Sequence, residues 1–127
     1  MKVFLAIAAI LAWFFGAMLL FIPASVYIPT GITVTPTLAT LAPTLGATLL
    51  GLGIINWLAR RADKTGLIVV LGANLFVQIL SLAVVLRTLQ LGAGSMAVPG
   101  VAIHVTLGSL FAFFLLKARK LESTSTL

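Results

Sequence analysis

The chain of 127 residues contains no cysteine. That excludes a disulfide framework, a thiolate nucleophile, a CxxC redox pair and any cysteine-ligated cluster. Charge is scarce too: 8% of residues are Asp, Glu, Lys or Arg, against roughly 25% in a soluble domain. So few charges cannot coat a water-exposed surface, which rules out a soluble enzyme and a disordered tail. Acid is scarcest of all. Asp63 and Glu122 are the two carboxylates and both lie outside the apolar runs, so a proton-coupled cycle on a buried acid has no residue to work through. The single histidine, His104, cannot by itself surround a metal or ligate a haem on both sides. No metal site, catalytic pair, phosphate loop or cofactor is expected.

What is present is hydrocarbon. Hydrophobic residues make up 61% of the chain, and a membrane-crossing helix needs about 20 of them in succession. Four runs qualify, at 3–22, 36–59, 66–89 and 97–116. Open strand edges cannot face lipid, and the alternation of a membrane β-barrel is missing. The expected fold is therefore all-α, a transmembrane antiparallel four-helix bundle occupying 1–127 as one domain. The first run, Val3–Ile22 behind Lys2, has the plan of a signal peptide but exceeds the usual apolar stretch of about 7–15 residues. It reads as a retained span.

The net charge of +6 is divided among short segments beside apolar runs. That is not the clustered face that nucleic acid requires, so no nucleic-acid partner is expected. Four spans place both ends on one side, together with Lys2, Arg60, Arg61, Lys64, Lys117, Arg119 and Lys120; the other side holds Arg87. The positive-inside rule then predicts cytoplasmic termini.

The first outer connection, Pro23–Thr35, combines Pro29 and Gly31 with β-branched residues. It suggests an extended or hairpin-like cap anchored by Tyr27. In the second, Ser95 is placed to cap the fourth helix. The Ser/Thr-rich tail from Leu121 to Leu127 reads as frayed.

Small residues recur every four positions: Ala8, Ala12 and Gly16; Ala39, Pro43, Ala47 and Gly51; Gly100, His104, Gly108 and Ala112. Each set falls on one helix face and suits close helix packing within the bundle, or a dimer face. Pro43 deletes a backbone bond to Ala39 and predicts a kink, with the hydroxyls of Thr40, Thr44 and Thr48 near the freed carbonyl. Alternatively the helix proper starts near Pro43. Asn74, Gln78 and Ser81 share a face of the third span, and buried amides need partners. They either bond between helices or line a ligand pocket. Arg87 and His104 are the ionisable groups of the outer half and are expected at similar depth. Arg87 either snorkels to headgroups or acts in a site; His104 either bonds within the bundle or does so. Asn56 and Trp57 end the second span, with Trp57 suited to the interface and Asn56 placed either to cap its own helix or to bridge to another helix end.

The stretch from Leu45 to Arg60, followed by Gly72-Ala73-Asn74-Leu75 and preceded by Gly31–Thr35, resembles small, uncharacterised bacterial four-span integral membrane proteins. The resemblance implies a helical bundle and brings no activity with it. Small multidrug exporters have the same size but rely on a glutamate in the first helix, which Val3–Ile22 lacks. Quinone-coupled thiol oxidoreductases and tetraspanin-like proteins need cysteines. The expected role is a non-enzymatic interaction, assembly or accessory component in the lipid bilayer, as a homo-oligomer or with a membrane protein partner. The rival is a small-molecule or lipid-binding protein or transporter with a polar site at Asn74, Gln78, His104 and Arg87 beside Pro43. A third reading is an enzyme using His104 and Arg87 at the outer interface.

Overall fold

Each long apolar run becomes one helix, and the breaks fall where the backbone cannot continue. The computed structural model describes residues 1–91 and 98–123, the side chains of residues 30 and 121–123 aside. Ser95 and the last four tail residues lie outside them. All regular structure among the described residues is helical.

Helix α1 spans Lys2–Phe21. It stops because Ile22 precedes Pro23, a position driven out of the helical region, and takes φ −138° and ψ 54°. Pro23 then opens the short helix α2, Pro23–Tyr27. A 3-10 turn, Ile28–Thr30, follows and ends at Gly31 with φ 78°, a left-handed value that glycine takes without strain. The expected hairpin-like cap does not form. Proline at the first turn favours helix, and residues 32–35 after Gly31 form no regular structure, with no strand among the described residues to pair with.

Helix α3, Pro36–Ala59, is capped by Thr35, whose hydroxyl accepts the Leu38 N–H at 3.2 Å. It runs unbroken through Pro43, so the helix does not begin there. Thr40 donates to the Pro36 carbonyl and Thr48 to the Thr44 carbonyl, both at 3.0 Å; neither reaches the freed carbonyl of Ala39. Helix α4, Lys64–Gln90, begins two residues earlier than its apolar run because Asp63 caps it, accepting the Gly66 N–H at 2.8 Å. Helix α5, Val98–Ser123, continues past Leu116 through Lys117 and Lys120. Charge ends a membrane span but not a helix, whose bonds persist in water.

Four of these helices, α1, α3, α4 and α5, are long and apolar enough to cross a membrane. They form an antiparallel bundle of two close pairs, α1 with α3 and α4 with α5, and α3 meets α4 over a shorter stretch. In α1 39% of the span is buried, against 11–17% in the others, so α1 is the hub. Its Phe4, Leu5 and Ala8 join Ala59 of α3, Leu71 of α4, and Phe111, Leu115 and Ala118 of α5 in one core cluster. Phe4 meets Phe111 edge-on at 4.7 Å and stacks on Phe114 at 4.9 Å, separations at which aromatic pairs attract.

The α1–α3 contact depends on glycine. A Cβ at Gly46 would lie 2.6 Å from the Gly16 carbonyl oxygen and 2.7 Å from the Leu20 amide nitrogen, and one at Gly53 would overlap the Trp13 indole. Such backbone approach is what drives helix association where lipid removes the hydrophobic force. The packing face of α3 is therefore Ala42, Gly46, Gly53, Asn56 and Ala59. The expected stripe of Ala39, Pro43, Ala47 and Gly51 points elsewhere: Ala39 and Ala47 are exposed, and Gly51 has open space where a side chain would be. In α1 the stripe faces inward, with Ala8 and Gly16 buried. In α5 it faces α4, with Gly100 against Val85 and Gly108 against Gln78.

Candidate functional site

The buried polar side chains are Asn56, Asn74 and Gln78, at 1%, 1% and 8% exposure. Their places follow from helical spacing. Asn56 lies three residues beyond Gly53 on the α3 packing face, and Asn74 and Gln78 lie three and seven beyond the buried Leu71 of α4. An amide carries donors and acceptors that hydrocarbon cannot satisfy. Here the helices satisfy them in pairs.

Asn56 and Asn74 form a reciprocal amide pair. Asn74 Nδ2 donates to Asn56 Oδ1 at 2.9 Å, and Asn56 Nδ2 returns a bond to Asn74 Oδ1 at 3.2 Å. Asn74 also donates to the Val70 carbonyl at 2.9 Å. This pair ties α3 to α4 close to the core cluster. Farther along α4, Gln78 Oε1 lies 2.7 Å from Nδ1 of half-buried His104 on α5. The amide oxygen only accepts, so Nδ1 carries the proton in this bond. Among the described residues, no buried side-chain nitrogen or oxygen lacks a partner.

Arg87 does not join them. It is exposed in the last turn of α4, nine residues beyond Gln78, or about 13 Å along the axis. His104 and Arg87 are therefore at different depths: His104 sits across from Gln78, and Arg87 is near the helix end, where a cation complements the exposed carbonyls. Ser81 is half-buried and Pro43 half-exposed on another helix. Of the residues expected to share a site, Gln78 and His104 thus form one interhelical pair, Asn74 pairs instead with Asn56, and Arg87 and Pro43 stand apart.

Two shallow, open surface depressions among the described residues lie elsewhere. One, of about 270 Å³, is a groove between α1 and α5 lined by Leu11, Ala102, Ile103, Thr106 and Leu107. The other, of about 410 Å³, is lined by Ile28, Gly31, Ile32, Thr33 and Val34 of the connection after α2. Neither is lined by Asn74, Gln78, His104 or Pro43.

At the opposite end, Arg60 stacks its guanidinium 3.3 Å above the Trp57 ring and donates Nε–H to the Trp57 carbonyl at 3.0 Å. Trp57 in turn lies 5.4 Å from Trp13. Asn56 is the polar partner that spacing alone under-weighted: it terminates an apolar run, yet falls in phase with Gly46 and Gly53. No family model, curated protein or solved structure matches the chain.

Proposed function

We propose that the chain is a non-enzymatic integral membrane protein that works as an assembly or accessory component, offering the outward face of α3 to another transmembrane helix. The observation that carries this reading is the division of labour on α3. One stripe of small residues packs on α1, while Pro43, Ala47 and Gly51 form a second in which Ala47 is exposed, Pro43 and Gly51 are half-exposed, and a Cβ added at Gly51 would meet no neighbouring atom. Small residues at a spacing of four let two helix backbones approach closely in lipid. The exposed hydroxyls of Thr44 and Thr48 flank the same stripe. A second copy of the chain or another membrane protein fits this face.

The polar residues support the same reading. Asn56 with Asn74, and Gln78 with His104, are engaged with each other rather than turned into a common cavity. A transporter or ligand-binding protein would direct them into shared space. The placement in a bacterial inner membrane with cytoplasmic termini, and kinship with small bacterial four-span proteins, belong to this proposal. They rest on the basic residues gathered at one end and on the Leu45–Arg60 run.

The absence of native cysteine makes the test direct. Ala47→Cys and Gly51→Cys are introduced singly into the full chain in its own membrane and oxidised mildly, with exposed Ile79→Cys on α4 as the comparison. A disulfide-linked species from the α3 positions, at twice the chain mass or with another membrane protein, is expected. Equal cross-linking from Ile79→Cys, or none from α3, would sink the proposal.

A further inference from the structure

One end of the bundle gathers Lys2 at the start of α1, Arg60 and Arg61 after α3, Lys64 at the start of α4, and Lys117 and Arg119 in the last part of α5. Among the described side chains Asp63 is the single acid there, and its carboxylate is turned to the α4 N-terminus, where it accepts the Gly66 N–H. None of the six cations is ion-paired among the described residues. Helices α1, α3 and α5 also present bare hydrocarbon beside their charge. Val3, Leu58 and Leu116 are 74%, 63% and 59% exposed, next to Lys2, the Arg60-Arg61 pair and Lys117 respectively.

We infer that this end binds anionic phospholipid headgroups and holds a shell of them in preference to zwitterionic lipid. The complementary ligand has negative charge joined to an acyl chain, because the surface alternates cation and apolar side chain at one level. A free anion or a soluble acidic peptide would meet the cations and leave Val3, Leu58 and Leu116 bare. Arg60 is already held on Trp57. Arg61 and Lys117 are exposed and Lys64 half-exposed, and their long side chains can turn toward a phosphate while their stems lie on lipid. The inference is independent of the α3 docking face, since it involves other residues at another depth.

Trp57 provides the probe. Trp13→Phe leaves it as the single tryptophan of the full chain. The protein is reconstituted into vesicles in which either phosphatidylglycerol or phosphatidylcholine carries brominated acyl chains, at equal mole fraction and low salt. A basic residue at an anionic surface gains about 1 kcal/mol, or about fivefold. Brominated phosphatidylglycerol should therefore show an apparent association with Trp57 at least about fivefold above that of brominated phosphatidylcholine. The excess should collapse at about 1 M salt, where screening reaches about 3 Å. It should also be reduced in Arg61→Gln/Lys64→Gln/Lys117→Gln and survive in Arg61→Lys/Lys117→Arg. If the triple variant does not fold, Lys117→Gln alone, at an exposed site, should lower the excess in the same direction by a smaller step. Equal quenching by the two lipids at low salt, or an excess unchanged in the glutamine variants, would overturn the inference.

Discussion

Replacing Asn74 with leucine should destabilise the bundle more than replacing Asn56 and Asn74 together. Both amides are 1% exposed and exchange two hydrogen bonds, at 2.9 and 3.2 Å. Interhelical side-chain bonds in membranes average about 0.6 kcal/mol and reach about 1.7, so the pair contributes about 1–3 kcal/mol. The single variant loses both bonds and also leaves the Asn56 amide buried without a partner, a penalty of about 1–3 kcal/mol. The lost bond to Val70 adds little, because a carbonyl inside a helix keeps its backbone donor. Asn74→Leu should thus lose about 2–6 kcal/mol in total. In Asn56→Leu/Asn74→Leu no polar group is stranded, and leucine has the same branching as asparagine. The double variant should be about 1–3 kcal/mol more stable than Asn74→Leu alone, and the two singles should therefore sum to more than the double loses. The assay is reversible unfolding of the wild type, both singles and the double in mixed micelles of mild detergent and dodecyl sulfate, followed by tryptophan emission. Additivity within about 0.5 kcal/mol would refute the claim that the amides hold α3 to α4.

Three further outcomes are expected. Gly46→Ala should lower stability by about 1–3 kcal/mol, because the new carbon meets backbone atoms that can yield only if α1 and α3 separate. Gly51→Ala should be neutral or raise stability by up to about 1 kcal/mol through helix propensity, and equal effects at both sites in the same unfolding assay would contradict the α3 packing face. His104→Ala should cost about 1 kcal/mol by removing the donor to Gln78, and His104→Gln should restore most of it. Burial pushes the Tyr27 phenol above the usual tyrosine range; its folded form holds the proton more tightly, so this contribution to stability is complete below about pH 10 and is lost as pH rises through the folded value. Absorbance at the phenolate band titrates the lone tyrosine directly, and a midpoint at or below that of the unfolded chain would contradict the burial.

The helices were legible in the sequence because length and apolarity alone mark a span, and Ile22-Pro23 marks a stop. The packing face of α3 was not. In lipid both core-facing and outward-facing residues are apolar, so periodicity gives a spacing without saying which phase points inward. Ala39-Pro43-Ala47-Gly51 and Ala42-Gly46-Gly53 both satisfy the spacing. Asn56 could have decided between them, since it is in phase with the second set and a buried amide must face protein. The same logic did place Asn74 and Gln78 inward. Their partners were out of reach, because the pairing of Gln78 with His104 depends on the register of two helices. Counting turns from the helix ends sets His104 at the depth of Arg87 only where the start of the last helix is fixed, and the Gly-rich connection before it does not fix that start. The outer connection misled because β-branched residues signal strand only where a second strand is available.

The core cluster closes on itself across almost the whole chain, with Phe4 of α1 seated against Phe111 of α5 roughly a hundred residues later. Synthesis at about 5–20 residues per second places several seconds between the emergence of those two rings. During that interval α1 and α3 can already be joined through Gly16 and Gly46, while the aromatic side of α1 still faces lipid or the insertion machinery. The last helix then acts as the closing piece. A nascent chain halted before α5 should therefore be recognised as unfinished at Phe4 and Leu5, near the beginning of the polypeptide.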